Sequence, residues 1–115
     1  RREDIAAERV SLSSRHTLTF PELTIDGRSQ QAFQNGTALA LTRIEFNMLL
    51  LLASNPGVTL SKEDLFSAVW GRDSADTLKV VANTVSNLRR KLGGSQTYIR
   101  TVRGGYVFSA VSATA

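Results

Sequence analysis

The run FNMLLLLAS, Phe46 to Ser54, is apolar nearly all round a helical wheel. A helix with one apolar stripe can lie on a surface, but a helix apolar on every side must be covered on every side. The segment therefore predicts a central helix with the rest of the chain packed around it. Its continuous apolar part, Met48 to Ala53, is far too short to span a bilayer. The start is well marked. Thr42-Arg43-Ile44-Glu45 reads as a capping box, in which the Thr42 hydroxyl caps the amide three residues on and Glu45 reaches back. Asn55-Pro56-Gly57 ends the helix.

Before that helix the apolar period is that of strands. Leu18 and Phe20, then Leu23 and Ile25, fall on one face, and Asp26-Gly27 and Asn35-Gly36 are turn signals, the second a strong hairpin cue. A small antiparallel sheet is expected over about residues 17–41. After the helix, Ser61-Lys62-Glu63-Asp64 opens a second one that carries Leu65, Phe66, Val69 and Trp70 and is closed by Gly71. The polar stretch RDSAD follows, then a third helix over about residues 76–92, stopped by Gly93-Gly94. A hairpin closes the chain: TYIRTV, a tight turn near RGG, and YVFSA. Residues 1–15 are polar, charged and weakly periodic and read as a linker or disordered tail, leaving one α+β domain over 16–112.

Charge is distributed unevenly. Residues 1–76 hold all ten acids and eight of the fourteen bases, a net of −2; residues 77–115 hold the other six bases, a net of +6. Such asymmetry points to a polyanionic partner, nucleic acid first and a membrane surface second. The chain has no cysteine, which excludes disulfides and thiolate metal sites and suits a reducing cytoplasm. The charged start RREDIAAERV lacks the apolar region of a signal peptide. Catalysis finds little support. The one histidine, His16, has no nucleophile to serve, Glu63-Asp64 suit the first turn of a helix, and no phosphate-cradling GxxxxGK[ST] run occurs. No cofactor or metal is implied.

On a wheel, Val81, Val85, Leu88 and Leu92 of the third helix fall within a stripe of about 60°. Opposite them lie Lys79, Asn83, Ser86, Asn87 and Arg90, all able to hydrogen-bond and none acidic. A merely solvated face mixes Glu with Lys for i,i+4 pairs. Asparagine is a poor helix former, so two of them mid-helix need a reason. Asparagine can pair bidentately with adenine N6 and N7, arginine with guanine O6 and N7, and a helix fits the DNA major groove. Second helix, loop and basic third helix stand in helix-turn-helix order, and the hairpin adds Arg100 and Arg103 close to its tip.

The blocks LTRIEFNMLLLLASNPGVTLSKEDLFSAVWG, VVANTVSNLRRKL and YIRTVRGGYVF, spread through about residues 17–110, resemble the OmpR/PhoB family of winged-helix transcription regulators. The resemblance implies a winged helix-turn-helix: an N-terminal antiparallel platform, three helices and a C-terminal β-hairpin wing. It places the third helix in the major groove of double-stranded DNA and the wing, about residues 98–108, on the minor groove or backbone. Base-facing positions would be Asn83, Ser86 and Asn87, and backbone contacts Trp70, Lys79, Arg89, Arg90, Thr101, Arg103 and Tyr106. The resemblance also implies the loop 71–76 as a surface for RNA polymerase. Many relatives place one more residue between the wing glycines, so the adjacent Gly104 and Gly105 predict a tighter wing. Relatives often carry arginines where this helix has Ser86 and Asn87. The implied setting is the cytoplasmic effector half of a two-component response regulator in a phosphorelay, monomeric alone and paired on a direct-repeat operator. Two alternatives stand beside it. One is a protein-interaction module with a basic face, the other the cytoplasmic head of a membrane-anchored activator. RNA binding ranks behind these, since no row of aromatics offers stacking for single-stranded bases.

Overall fold

The computed structural model describes residues 17–71, 77–92 and 98–109. The tail 1–15 with His16, the RDSAD loop and the Gly93-Gly94 stop lie outside the described residues. The first layer is an antiparallel sheet of four strands in sequential order: β1 (Thr17–Phe20), β2 (Leu23–Asp26), β3 (Gln31–Gln34) and β4 (Thr37–Ala38). Its register pairs Leu18 with Ile25, Phe20 with Leu23 and Ile25 with Ala32. Alternation then collects these five side chains on one face. Leu23, Ile25 and Ala32 are buried there, with Leu18 and Phe20 packed at the margin. The β3–β4 loop is Asn35-Gly36, with φ of 54° and 82°. A two-residue hairpin of type I′ needs both central residues left-handed, which is why asparagine and glycine stand there.

Helices α1 (Arg43–Ala53) and α2 (Lys62–Val69) both start on complete capping boxes. Thr42 Oγ1 accepts from the Glu45 amide at 3.1 Å while Glu45 Oε1 accepts from the Thr42 amide at 2.9 Å, and Ser61 and Asp64 repeat the arrangement at 3.0 and 3.1 Å. Such an N-cap is worth about 1 kcal/mol. The central position expected of α1 is observed: Phe46 and every residue from Met48 to Ala53 are buried. Gly71, at φ 94°, follows the end of α2 and donates to Phe66 and Ser67 carbonyls. The third helix, α3 (Lys79–Leu92), begins later than the sequence suggests. In its first turn Val80 and Val81 donate back only three residues, to Thr77 and Leu78, so the chain winds in through a tighter turn. The stripe Val81, Val85, Leu88, Leu92 is buried as expected, and Thr84 joins it.

The hairpin is β5 (Ile99–Val102) and β6 (Gly105–Phe108), joined by Arg103-Gly104 alone. It has a third partner far away in the chain. Leu60 and Tyr106 exchange backbone hydrogen bonds of 2.8 and 2.9 Å, and the Gly57 amide donates to the Phe108 carbonyl at 3.0 Å. The α1–α2 connection is thus joined to the wing by an isolated antiparallel bridge at Leu60. The approach is close enough to demand glycine at 105, where a Cβ would stand 2.1 Å from the Leu60 carbonyl oxygen. Phe108 anchors the base of the wing between Phe20 and Tyr98, at ring distances of 4.9 and 5.9 Å, and the Tyr98 hydroxyl donates to the Pro21 carbonyl at 2.8 Å. Platform, helices and wing therefore share one core.

Candidate nucleic-acid interface

The outward face of α3 carries Lys79, Asn83, Ser86 and Arg90 exposed and Asn87 half-buried. These are the five residues that the wheel sets opposite the core, and the burial of Val81, Val85, Leu88 and Leu92 is what turns them outward. No acid occurs in α3, and its last turn holds Arg89, Arg90 and Lys91. Positive charge there also complements the negative end of the helix dipole. On the same face Arg90 Nη2 donates to Asn87 Oδ1, a bond between residues one turn apart.

Three residues named as separate backbone contacts are brought into one cluster. Arg89 donates from Nε to the Ile99 carbonyl at 3.0 Å and from Nη2 to Thr101 Oγ1 at 2.7 Å, and its guanidinium lies 5.8 Å from the centre of the Tyr106 ring. Tyr106 is only 6% exposed. Arg89 is therefore a strut that fixes the wing to α3, and Thr101 and Tyr106 are its seat. Arg103 is different: it sits exposed in the two-residue loop at the wing tip and has no hydrogen-bond or ion-pair partner among the described residues. Arg100 does not share that tip. It pairs with Val107, two residues behind the Val102–Gly105 pair that closes the loop. Trp70 caps α2, half-buried, its ring stacked 5.7 Å from Phe66 with 12° between planes. Of the loop 71–76 only Gly71 is described.

One contact that orients this face was not legible in the sequence. Lys91 Nζ reaches Glu45 Oε1 at 2.6 Å, the same oxygen that the Thr42 amide binds. Glu45 is 5% exposed. Burial pushes its carboxyl up, but the hydrogen bonds from Lys91 and from the Thr42 backbone outweigh that and hold it below the usual glutamate range. The carboxylate thus ties the start of α1 to the last turn of α3. The capping box gave Glu45 a local role; nothing in the chain order names a lysine 46 residues away.

Residues 36–108 match the family described as the C-terminal domain of transcriptional regulatory proteins. The chain belongs to that family, the OmpR/PhoB type of effector domain. This OmpR/PhoB-type domain is 43% identical over 89 residues to the transcriptional regulatory protein VxrB of Vibrio cholerae, and 40% identical over 101 residues to PrrA of Mycobacterium tuberculosis. Those alignments take in 76% and 85% of the chain but only 36% and 43% of the relatives. Among solved structures, the DNA-binding domain of CpxR from E. coli superposes with a TM-score of 0.74 at 35% identity, over 83% of this chain and 98% of that one. The Klebsiella pneumoniae RstA DNA-binding domain, in complex with the RstA box, gives 0.73 at 32% identity over 82% and 97%. The OmpR/PhoB-type fold is a winged helix, with α3 in the place of the second helix of the helix-turn-helix and β5–β6 as its wing. No helix among the described residues is long and apolar enough to cross a membrane.

Proposed function

We propose that this domain binds double-stranded DNA with sequence preference and regulates transcription. The observation that carries the proposal is the acid-free outward face of α3, held beside a wing whose tip presents an arginine with no partner among the described residues. In this reading α3 enters the major groove with Asn83, Ser86 and Asn87 toward the bases. Lys79 and Arg103 meet phosphates directly, Arg90 lies beside Asn87 on the outward face, and Trp70 at the end of α2 is a further backbone neighbour. Arg89, Thr101 and Tyr106 meet the backbone as one cluster. The RstA domain in complex with the RstA box supports the reading through its shared fold. The setting would be the cytoplasmic effector half of a response regulator rather than an enzyme. It would be monomeric alone, paired on direct-repeat DNA, and open to RNA polymerase through loop 71–76.

A salt titration with duplex DNA tests the proposal. Neutralising about four to six phosphates gives log K against log salt a slope of roughly −4 to −5. A slope near zero on every duplex tried would remove the DNA reading.

A further inference from the structure

Asn87 does not stand alone on the outward face of α3. Arg90 donates to its Oδ1, along the helix surface. A hydrogen bond from a cation is roughly twice as strong as one between neutral groups. The bond therefore sets the plane of the Asn87 carboxamide. Asparagine has one acceptor oxygen, with two lone pairs, and one amino group with two donors. With the oxygen turned along the helix and one lone pair taken by Arg90, the amino group is the half better placed for a ligand. Arg90 adds its own remaining N–H groups, and a guanidinium has no acceptor at all. No carboxylate on α3 competes for it. Side by side, the two residues form a donor-rich surface.

Purine edges in the major groove differ where this matters. Guanine offers two acceptors, N7 and O6, whereas adenine offers the N7 acceptor and the N6 donor. A donor-rich surface complements guanine and sets its donors against adenine N6. An unpaired asparagine has the opposite preference, since its oxygen and amino group together match adenine.

We propose that Asn87 and Arg90 form one composite reading unit that selects guanine over adenine, with Arg90 the residue that sets the preference of the asparagine. The inference rests on the placement of α3 in the major groove.

Selection from a pool of randomised duplexes tests it, with wild type, Arg90→Ala and Asn87→Asp compared after melting curves show all three folded. Wild type should retain guanine at a position where Arg90→Ala, its Asn87 oxygen released, retains adenine. The change in guanine-over-adenine preference should be about 5- to 150-fold. Asn87→Asp keeps the Arg90 partner but replaces the donor by an acceptor, so it should lose guanine at that same position. Identical base preferences in wild type and Arg90→Ala, even with a uniform loss of affinity, would overturn the unit and assign Arg90 to phosphate. So would adenine in the wild-type site at the position that Asn87→Asp disturbs. A wild type that enriches no sequence at all would instead fail the groove placement itself, and the unit with it.

Discussion

Arg103 and Arg89 show how two arginines of one wing region take different tasks. Arg89 spends its guanidinium on the Ile99 carbonyl, the Thr101 hydroxyl and the face of Tyr106. Arg103 is exposed in the Arg103-Gly104 loop, with no partner among the described residues. Removing an exposed side chain of that kind usually changes stability by less than about 0.5 kcal/mol. Arg103→Ala should therefore leave the melting temperature in place and weaken DNA binding. The two-residue loop reaches little beyond its strands, which favours phosphate over the floor of the minor groove. The loss should then be nearly uniform across sequences, and the salt slope should shrink by about one. A loss that varies with A·T content of the flanks would point to the minor groove instead. Unchanged affinity and unchanged melting would leave the wing tip without a DNA contact.

Among the elements, α3 is held from both sides. Arg89 fastens it to the wing, and Lys91 fastens it to the start of α1 through Glu45. The folded carboxyl of Glu45 lies below its ordinary value, so the unfolded chain takes up its proton at a higher pH than the native one does. Its contribution is complete above the unfolded pKa, near 4.5, and is lost as pH falls through the lower folded value. Glu45→Gln retains a capping-box side chain but no charge. Melting temperature should fall less between pH 6 and the acid side in Glu45→Gln than in wild type; equal acid limbs would show that the pair contributes nothing to pH dependence. Lys91→Met should cost about 1.5–3 kcal/mol at neutral pH, the worth of a hydrogen bond to a charged group. A melting curve matching wild type would refute that estimate.

At the scale of the whole molecule, the large apolar side chains left exposed among the described residues are Val58, at 50%, and Leu78, at 37%. Single exposed residues of this kind are ordinary on a monomer and make no seam for a stable dimer. Sedimentation of this chain without DNA should show a monomer. On a direct repeat with half-sites about 10–10.5 bp apart, two copies would lie on one face of the duplex and should bind cooperatively. A dimer stable in the absence of DNA would contradict this, as would independent binding to such half-sites.

Most of the architecture is legible in the sequence. Capping boxes, Asn-Gly turns and strand or helix periods are local: each is decided by neighbouring dihedral preferences and hydrogen bonds within a few residues. For the same reason the wheel separated the buried stripe of α3 from its polar face. Helix α3 begins at Lys79 rather than near residue 76, and the residue before it, Leu78, has no side-chain acceptor to cap it. What remained hidden joins residues far apart in the chain. Leu60 pairs with Tyr106, Arg89 reaches Thr101 and Tyr106, and Lys91 finds Glu45. Those partners depend on the distance and angle at which elements dock, and docking is set by how the side chains of the shared core fill space. The polar outward face of α3 was thus determined by the sequence, while the joining of Arg89, Thr101 and Tyr106 into one cluster was decided only by the packing.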